Sequence, residues 1–148
     1  MQVKELGHIV LYVHNLERSR HFYGEVLGFR QLPIESPFTA MFSSGRAHHE
    51  LLLIEVGADA TEIPAGRRVG MYHIGLKIGD SDDELRAAVA ELDRAGVEVT
   101  GASDHTVTHS LYLRDPDGNE VELFIDVPGV DWRDRPELVG APTKPLRL

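Results

Sequence analysis

The chain has 148 residues, a formal net charge of −9 and no cysteine. The lack of cysteine excludes disulfides, thiolate zinc sites, iron–sulfur clusters and cysteine nucleophiles, so any metal must be held by nitrogen and oxygen. An acidic chain without a basic patch argues against nucleic-acid binding, and no apolar run reaches the roughly 18 residues of a membrane span. No signal peptide is visible, so we expect a cytoplasmic protein that acts on a small molecule.

The first predicted strand recurs later in the chain, which indicates two copies of one module. The segment GHIVLYV (7–13) matches the segment YHIGLKI (72–78). Both alternate between an apolar face and a second face, as strands do. This alternation puts His8 and His73 at the same place in the two copies, on the face opposite the main apolar set.

A helix is predicted after each of these strands. The first begins at the N-cap Asn15 and ends at Gly28, and the second begins with a capping box at Ser81 and ends at Gly96. Three strands are predicted after each helix, so both halves follow a βαβββ order. These strands are predicted near residues 30–34, 39–42 and 48–56 in the first half, and near 97–100, 110–114 and 120–125 in the second.

The elements divide the chain into four regions. These are a first module (1–57), a linker rich in Gly, Pro and charge (58–70), a second module (71–127) and an extended C-terminal tail (128–148). A single βαβββ sheet covers one face with its helix and needs a partner for its edge or its other face. We therefore predict an α+β fold in which two tandem modules form a curved eight-stranded sheet around a metal-binding cup.

Glu122 is the third residue that the pattern directs towards this cup. Its neighbours Val121 and Leu123 belong to the helix-facing apolar set, so Glu122 faces the other way. Two histidines and one carboxylate with open positions are typical of non-haem iron(II) oxygenases. A single histidine on a strand is more often structural than metal-binding. Its recurrence at the equivalent place of a repeat favours a metal site at His8, His73 and Glu122.

Three motifs in this order resemble the glyoxalase/bleomycin-resistance/dioxygenase superfamily, also called the vicinal-oxygen-chelate superfamily. They are GHIVL (7–11), YHIGL (72–76) and DPDGNEVEL (115–123), and the resemblance covers roughly residues 5–126. It implies that the strand-borne residues of these motifs, His8, His73 and Glu122, bind one divalent metal. The motifs are specific to the superfamily but do not distinguish among its activities.

Three further segments resemble the type I extradiol dioxygenases, which open catechol-like rings with dioxygen. The segment AHHELLL is similar to the strand that supplies their acid–base histidine, which implies that role for His49. The loop around His105 is similar to their histidine-bearing loop, and the segment SLYL is similar to the strand with their active-site tyrosine. Tyr112 precedes Glu122 by ten residues, the separation that this resemblance requires.

The resemblance thus implies a non-haem Fe(II)-dependent extradiol dioxygenase, an oxidoreductase of aromatic catabolism that inserts both atoms of O2 into a catechol-like diol. Mn(II) suits the same ligands. His49 would exchange protons with the oxygen species, and His105 and Tyr112 would hold the substrate oxygens. The expected partners are the aromatic substrate, O2 and a second copy of the chain in a homodimer.

The residues around His49 leave two alternatives open. Matching His49-Glu50-Leu51 to Val121-Glu122-Leu123 makes Glu50 the repeat equivalent of Glu122, whereas the dioxygenase resemblance directs His49 into the cup. Strict alternation admits only one of the two, unless a bulge shifts the register. A site of two His and two Glu resembles glyoxalase I, a lyase with isomerase chemistry that would use Ni(II) or Zn(II). A non-catalytic drug-binding resistance protein of the same fold is a further alternative, although such proteins commonly lack the triad.

Overall fold

The computed structural model describes all 148 residues, and these form two compact units, Met1–Pro64 and Ala65–Leu148. Each unit has its own sheet and its own helix, so the predicted α+β class is confirmed. The strands are divided into one sheet of three and one of five, where a single sheet of eight was predicted. None of the helices has the length and hydrophobicity that a transmembrane segment requires.

The first unit folds around one apolar layer between its sheet and its helix. The strands are β1 (Ile9–Val13), β2 (Thr39–Phe42) and β3 (Leu51–Glu55), and the helix is α1 (Leu16–Arg20), which continues as a π-helix over His21–Val26. Strand β3 pairs in parallel with β1 and antiparallel with β2. The Asn15 side chain caps α1 by accepting a hydrogen bond from the Arg18 amide at 2.8 Å. Leu53 and Phe42 are fully buried at the centre of the core.

The second unit has the same order of elements with more strands. They are β4 (His73–Gly79), β5 (Gly101–Asp104), β6 (Thr108–Arg114), β7 (Glu120–Asp126) and β8 (Lys144–Pro145), with α2 (Asp82–Arg94) between β4 and β5 and a 3-10 helix over Pro136–Gly140. The sheet order is β4-β7-β6-β5-β8, and only the β4–β7 pairing is parallel. Leu85 of α2 packs on Leu111 and Ile125, and burying each contributes about 1.5–3 kcal/mol.

Two of the predicted strands are wrong. Residues 30–34 form only an isolated bridge between Gln31 and Phe42, because the Ile34 amide, the next one on the side that faces β2, bonds to the Leu32 carbonyl at 2.8 Å. Residues 97–100 precede β5, which begins at Gly101, and the Val97 amide still bonds to the Leu92 carbonyl of the helix at 2.9 Å. Both segments make a backbone bond to the neighbouring strand, from Leu32 N to Met41 O at 2.8 Å and from Thr100 N to Tyr112 O at 2.7 Å, but neither extends into a regular ladder.

Candidate metal centre

The parallel pairing of β4 with β7 brings two of the predicted metal ligands together. In this register His73 lies beside Glu120, and Gly75 lies beside Glu122. The Glu122 carboxylate extends over Gly75 to the neighbouring imidazole, and a Cβ at Gly75 would lie 3.5 Å from its Oε2 atom. The His73 Nε2 atom is 3.1 Å from Glu122 Oε2, and both side chains are partly buried.

This pair has the spacing that two ligands of one metal require. Donors about 2.1 Å from a metal, at angles of about 90–109°, are separated by about 3.0–3.4 Å. An imidazole nitrogen and a carboxylate oxygen also suit Fe(II) and Mn(II) chemically. His73 and Glu122 therefore fit a divalent metal. The structure contains no group of three or more His, Asp or Glu side chains arranged to hold one, and the third predicted ligand, His8, belongs to the first unit.

Tyr112 and His105 form a chain of hydrogen bonds that ends on Glu122. Tyr112 aligns with Glu122 across β6 and β7, and its hydroxyl donates to Glu122 Oε1 at 3.2 Å. The Nε2 atom of His105 lies 2.7 Å from the same hydroxyl. Burial, and then the charge of Glu122, raise the pKa of Tyr112 to about 12. The phenol therefore keeps its proton at neutral pH and acts as a hydrogen-bond donor.

The loop and the tail around His105 fix its ring from both sides. Thr106, at the tip of the β5–β6 hairpin, has a φ of +73°, which is strained for a β-branched residue. Its amide donates to Asp104 Oδ1 at 2.6 Å, which stabilises this turn. On the other side β8 pairs with β5, and Thr143, which precedes β8, places its Oγ1 3.2 Å from His105 Nδ1. The ring therefore directs Nε2 towards Tyr112.

The first unit brings three histidines together. His8 is exposed just before β1, and its ring centroid is 4.5 Å from that of His49 and 6.0 Å from that of His48. The Nδ1 atoms of His48 and His49 are 2.6 Å apart. Burial, and then the neighbouring His48 and His8, lower the pKa of His49, which favours a neutral imidazole at pH 7. The predicted acid–base residue thus lies beside the predicted ligand of this unit.

Glu50 serves a different purpose, because its carboxylate closes the turn before β3. It accepts hydrogen bonds from the Ser44 amide at 2.8 Å, the Ser44 hydroxyl at 3.0 Å and the Ala47 amide at 3.0 Å. Burial opposes the ionisation of Glu50, but hydrogen bonds from Ser44, Ala47 and Ser43 outweigh it and lower the pKa of this carboxyl. Residues 48–50 lie outside any strand, so strand alternation does not decide their directions.

The pairing registers correct the repeat alignment made from the sequence. Val10, two residues after His8, pairs with Leu52, whereas Gly75, two residues after His73, pairs with Glu122. Leu52 is therefore the equivalent of Glu122. The match of Glu50 to Glu122 was wrong by two residues. It was made because both segments contain a glutamate followed by a leucine.

Sequence reasoning missed one charged residue of this region. Glu120 is buried on β7, with its Oε1 atom 3.6 Å from His73 Nδ1 and its Oε2 atom 2.9 Å from Arg114 Nη2. Its parity matches that of Glu122, which the sequence does show. Its proximity to His73 follows only from the parallel register of β4 and β7, which no local pattern reveals.

The fold and these motifs have known counterparts. The chain belongs to the Glyoxalase/Bleomycin resistance protein/Dioxygenase superfamily, whose family model matches residues 5–123. Among its relatives, a catechol-2,3-dioxygenase of Bacillus subtilis (strain 168) is 36% identical over 88% of this chain. A biphenyl-2,3-diol 1,2-dioxygenase 3 of Rhodococcus globerulus is 32% identical over 82% of it. A probable lactoylglutathione lyase of Vibrio parahaemolyticus serotype O3:K6 (strain RIMD 2210633) is 30% identical over 79% of the chain and 87% of its own length.

The two dioxygenases are longer proteins than the present chain. The matching region covers 45% of the Bacillus protein and 63% of the Rhodococcus protein. Among solved structures, a glyoxalase/dioxygenase from Nostoc punctiforme is similar with a TM-score of 0.68 and 21% identity, over 83% of this chain and 91% of that one. At this identity the similarity concerns the fold alone.

Proposed function

We propose that the chain is a non-haem Fe(II)-dependent extradiol dioxygenase that opens the ring of a catechol-like diol with O2. The observation that carries this proposal is the continuous hydrogen-bonded path from His105 through Tyr112 to Glu122, whose carboxylate also contacts His73. Such a path places fixed proton donors beside the pair of residues that fits a metal. The two relatives named as dioxygenases of aromatic diols support the same activity.

In this proposal His8, His73 and Glu122 hold the metal. Bound Fe(II) would supply the redox chemistry that lets O2 react with the ring, and the two oxygens of the diol would chelate it. The protein contributes three ligands and leaves the remaining positions open. The same ligand set accepts Mn(II), so the choice between these two metals rests on measurement.

The remaining residues orient the substrate and move protons. Tyr112 keeps its proton and donates a hydrogen bond, so it can hold a substrate oxygen without acting as a base. Both ring nitrogens of His105 have partners, Thr143 and Tyr112, so in this proposal His105 contacts a substrate oxygen by giving up one of them or acts through the Tyr112 hydroxyl. His49, beside His8, is the residue we propose to accept a proton from the diol and return it later, a role typically worth about 10²–10⁴ in rate.

The structure of the first unit disfavours the lactoylglutathione-lyase alternative. That reading uses a second carboxylate at the metal, and it rested on Glu50. This carboxylate is tied to the Ser44–Ala47 turn by three hydrogen bonds, and the strand position equivalent to Glu122 holds the apolar Leu52. A fourth ligand from β3 is therefore missing, and three protein ligands suit a chelating substrate better.

The test is to load the metal-free protein with Fe(II) without oxygen, then to add air and a panel of catechols. We expect O2 uptake equal to the diol consumed, together with a yellow ring-opened product. The matched control is the same protein loaded with redox-inert Zn(II), which should consume no O2. The dioxygenase hypothesis would be wrong if no catechol of the panel led to O2 uptake. Turnover of methylglyoxal–thiol adducts that depends on Ni(II) or Zn(II) would then support the isomerase hypothesis.

A further inference from the structure

Two charged side chains and a histidine lie side by side across three neighbouring strands of the second unit. The registers place His73 of β4 beside Glu120 of β7, and Glu120 beside Arg114 of β6. Only 9% of the Glu120 side chain is exposed. Burying a carboxylate is costly unless both oxygens find partners. The partners of the two Glu120 oxygens therefore indicate the role of this residue.

One carboxylate oxygen of Glu120 has a polar partner, and the other has no hydrogen-bond partner. Oε2 accepts a contact from Arg114 Nη2 at 2.9 Å. Oε1 is buried without a hydrogen-bond partner, and so is Nδ1 of His73, and these two atoms face each other at 3.6 Å. An ordinary N–H···O bond is about 3.0 Å long, so a small rotation of the imidazole closes this gap.

We propose that Glu120 is a positioning residue for His73. It accepts the Nδ1 proton of the imidazole, which leaves the lone pair of Nε2 directed at the metal. This inference rests on the proposed function, because it assumes that His73 is a metal ligand. Metal-binding histidines generally donate their second nitrogen to such an acceptor, which fixes the tautomer and the ring orientation. Arg114 in turn holds the carboxylate in place.

The two carboxylates of β7 thus have different tasks although they share one face of the strand. Glu122 lies 3.1 Å from Nε2, the nitrogen that would bind the metal, whereas Glu120 lies near Nδ1. Glu122 accepts a hydrogen bond from the Tyr112 hydroxyl at 3.2 Å and is a ligand candidate, whereas Glu120 is neutralised by Arg114 at 2.9 Å. The buried ion pair makes Glu120 a fixed acceptor rather than a second ligand.

The test compares Glu120→Leu with Glu120→Gln, using the metals alone. Mn(II) and Zn(II) affinities are measured by competition with a chelating dye, so turnover is not needed. We expect Glu120→Leu to bind about 10–100-fold more weakly, the usual effect of losing such an acceptor. Glu120→Gln should stay close to wild type, because the amide oxygen still accepts the Nδ1 proton. Circular dichroism confirms that each variant is folded.

A second readout uses the wild-type protein loaded with Zn(II), which is diamagnetic. Long-range nitrogen–proton spectra should show His73 bound through Nε2, with an Nδ1 proton that exchanges slowly with water. Binding through Nδ1, or a rapidly exchanging proton, would overturn the proposal even if Glu120→Leu fails to fold.

The outcomes separate this inference from the proposed function. If wild type binds metal, and Glu122→Ala abolishes binding while Glu120→Leu leaves it unchanged, the positioning role is wrong and the metal site stands. If wild type binds neither metal, the proposed function fails and the positioning role fails with it.

Discussion

The two units follow the same backbone path, yet they carry different chemistry. In each, the first strand pairs in parallel with a later one, β3 in the first unit and β7 in the second, and a histidine lies at or just before the start of the first strand. Strand β7 carries Glu120 and Glu122, whereas the first unit has Glu50, just before β3, and Leu52 at the equivalent places. A shared path therefore fixes where a side chain is presented, and the residue at that place decides what it does.

The largest expected effect concerns Glu122, which lies at the position where the two units differ most. Glu122→Ala should lose the metal and lower turnover by more than about 10²-fold, because a direct ligand matters more than the residues behind it. Metal content and turnover are measured on the same samples. The control is Leu52→Ala, which should cost about 2 kcal/mol of stability and keep the metal. A metal-loaded, active Glu122→Ala protein would rule out the proposed site.

The second-largest expected effect tests what His49 of the first unit contributes to turnover. His49→Phe should keep the metal while turnover falls by about 10²–10⁴, since a proton-transfer group is lost and no ligand is removed. His21→Phe is the matched control, because His21 is an exposed helix residue paired only with Glu25. Loss of metal from His49→Phe would make His49 a ligand and overturn its role as an acid–base residue.

The smallest effect tests whether Glu50 is structural. Glu50→Ala should keep the metal and lower the free energy of unfolding by about 1–3 kcal/mol, because the Ser44 and Ala47 amides lose their acceptor. Chemical denaturation measures this, with the exposed Glu25→Ala as control. Metal loss in Glu50→Ala would restore the isomerase reading.

The pH dependence of the same variant follows from the lowered pKa of Glu50. Its folded pKa lies below the ordinary value of 4.5, so the stability it adds is present above pH 4.5. That stability is lost as the pH falls through the folded pKa. The difference between wild type and Glu50→Ala should therefore shrink in acid, and a difference that grows there would contradict the assignment.

Local patterns in the sequence predicted the parts of the site that depend on one strand or one turn. Alternation placed Glu122 and Tyr112 on one face, and the structure joins them by a hydrogen bond. Parity alone could not separate Glu120 from Glu122, because their difference depends on a parallel register with residues 47 positions earlier in the chain, as in the pair of His73 with Glu120. The turn held by Glu50 was missed for a related reason, since three amide and hydroxyl donors converge only after folding.

The parallel pairing of β1 with β3 and of β4 with β7 also sets an order of folding. Strands β1 and β4 cannot pair until β3 and β7 have been made, so both sheets depend on contacts between distant residues, which slow folding. On the ribosome, at about 5–20 residues per second, the first unit can close once Glu55 has emerged. The pairing of β4 must wait for β7, which ends at Asp126, and until then β4 has no partner strand. The unit that carries most of the proposed chemistry is therefore the later of the two to assemble.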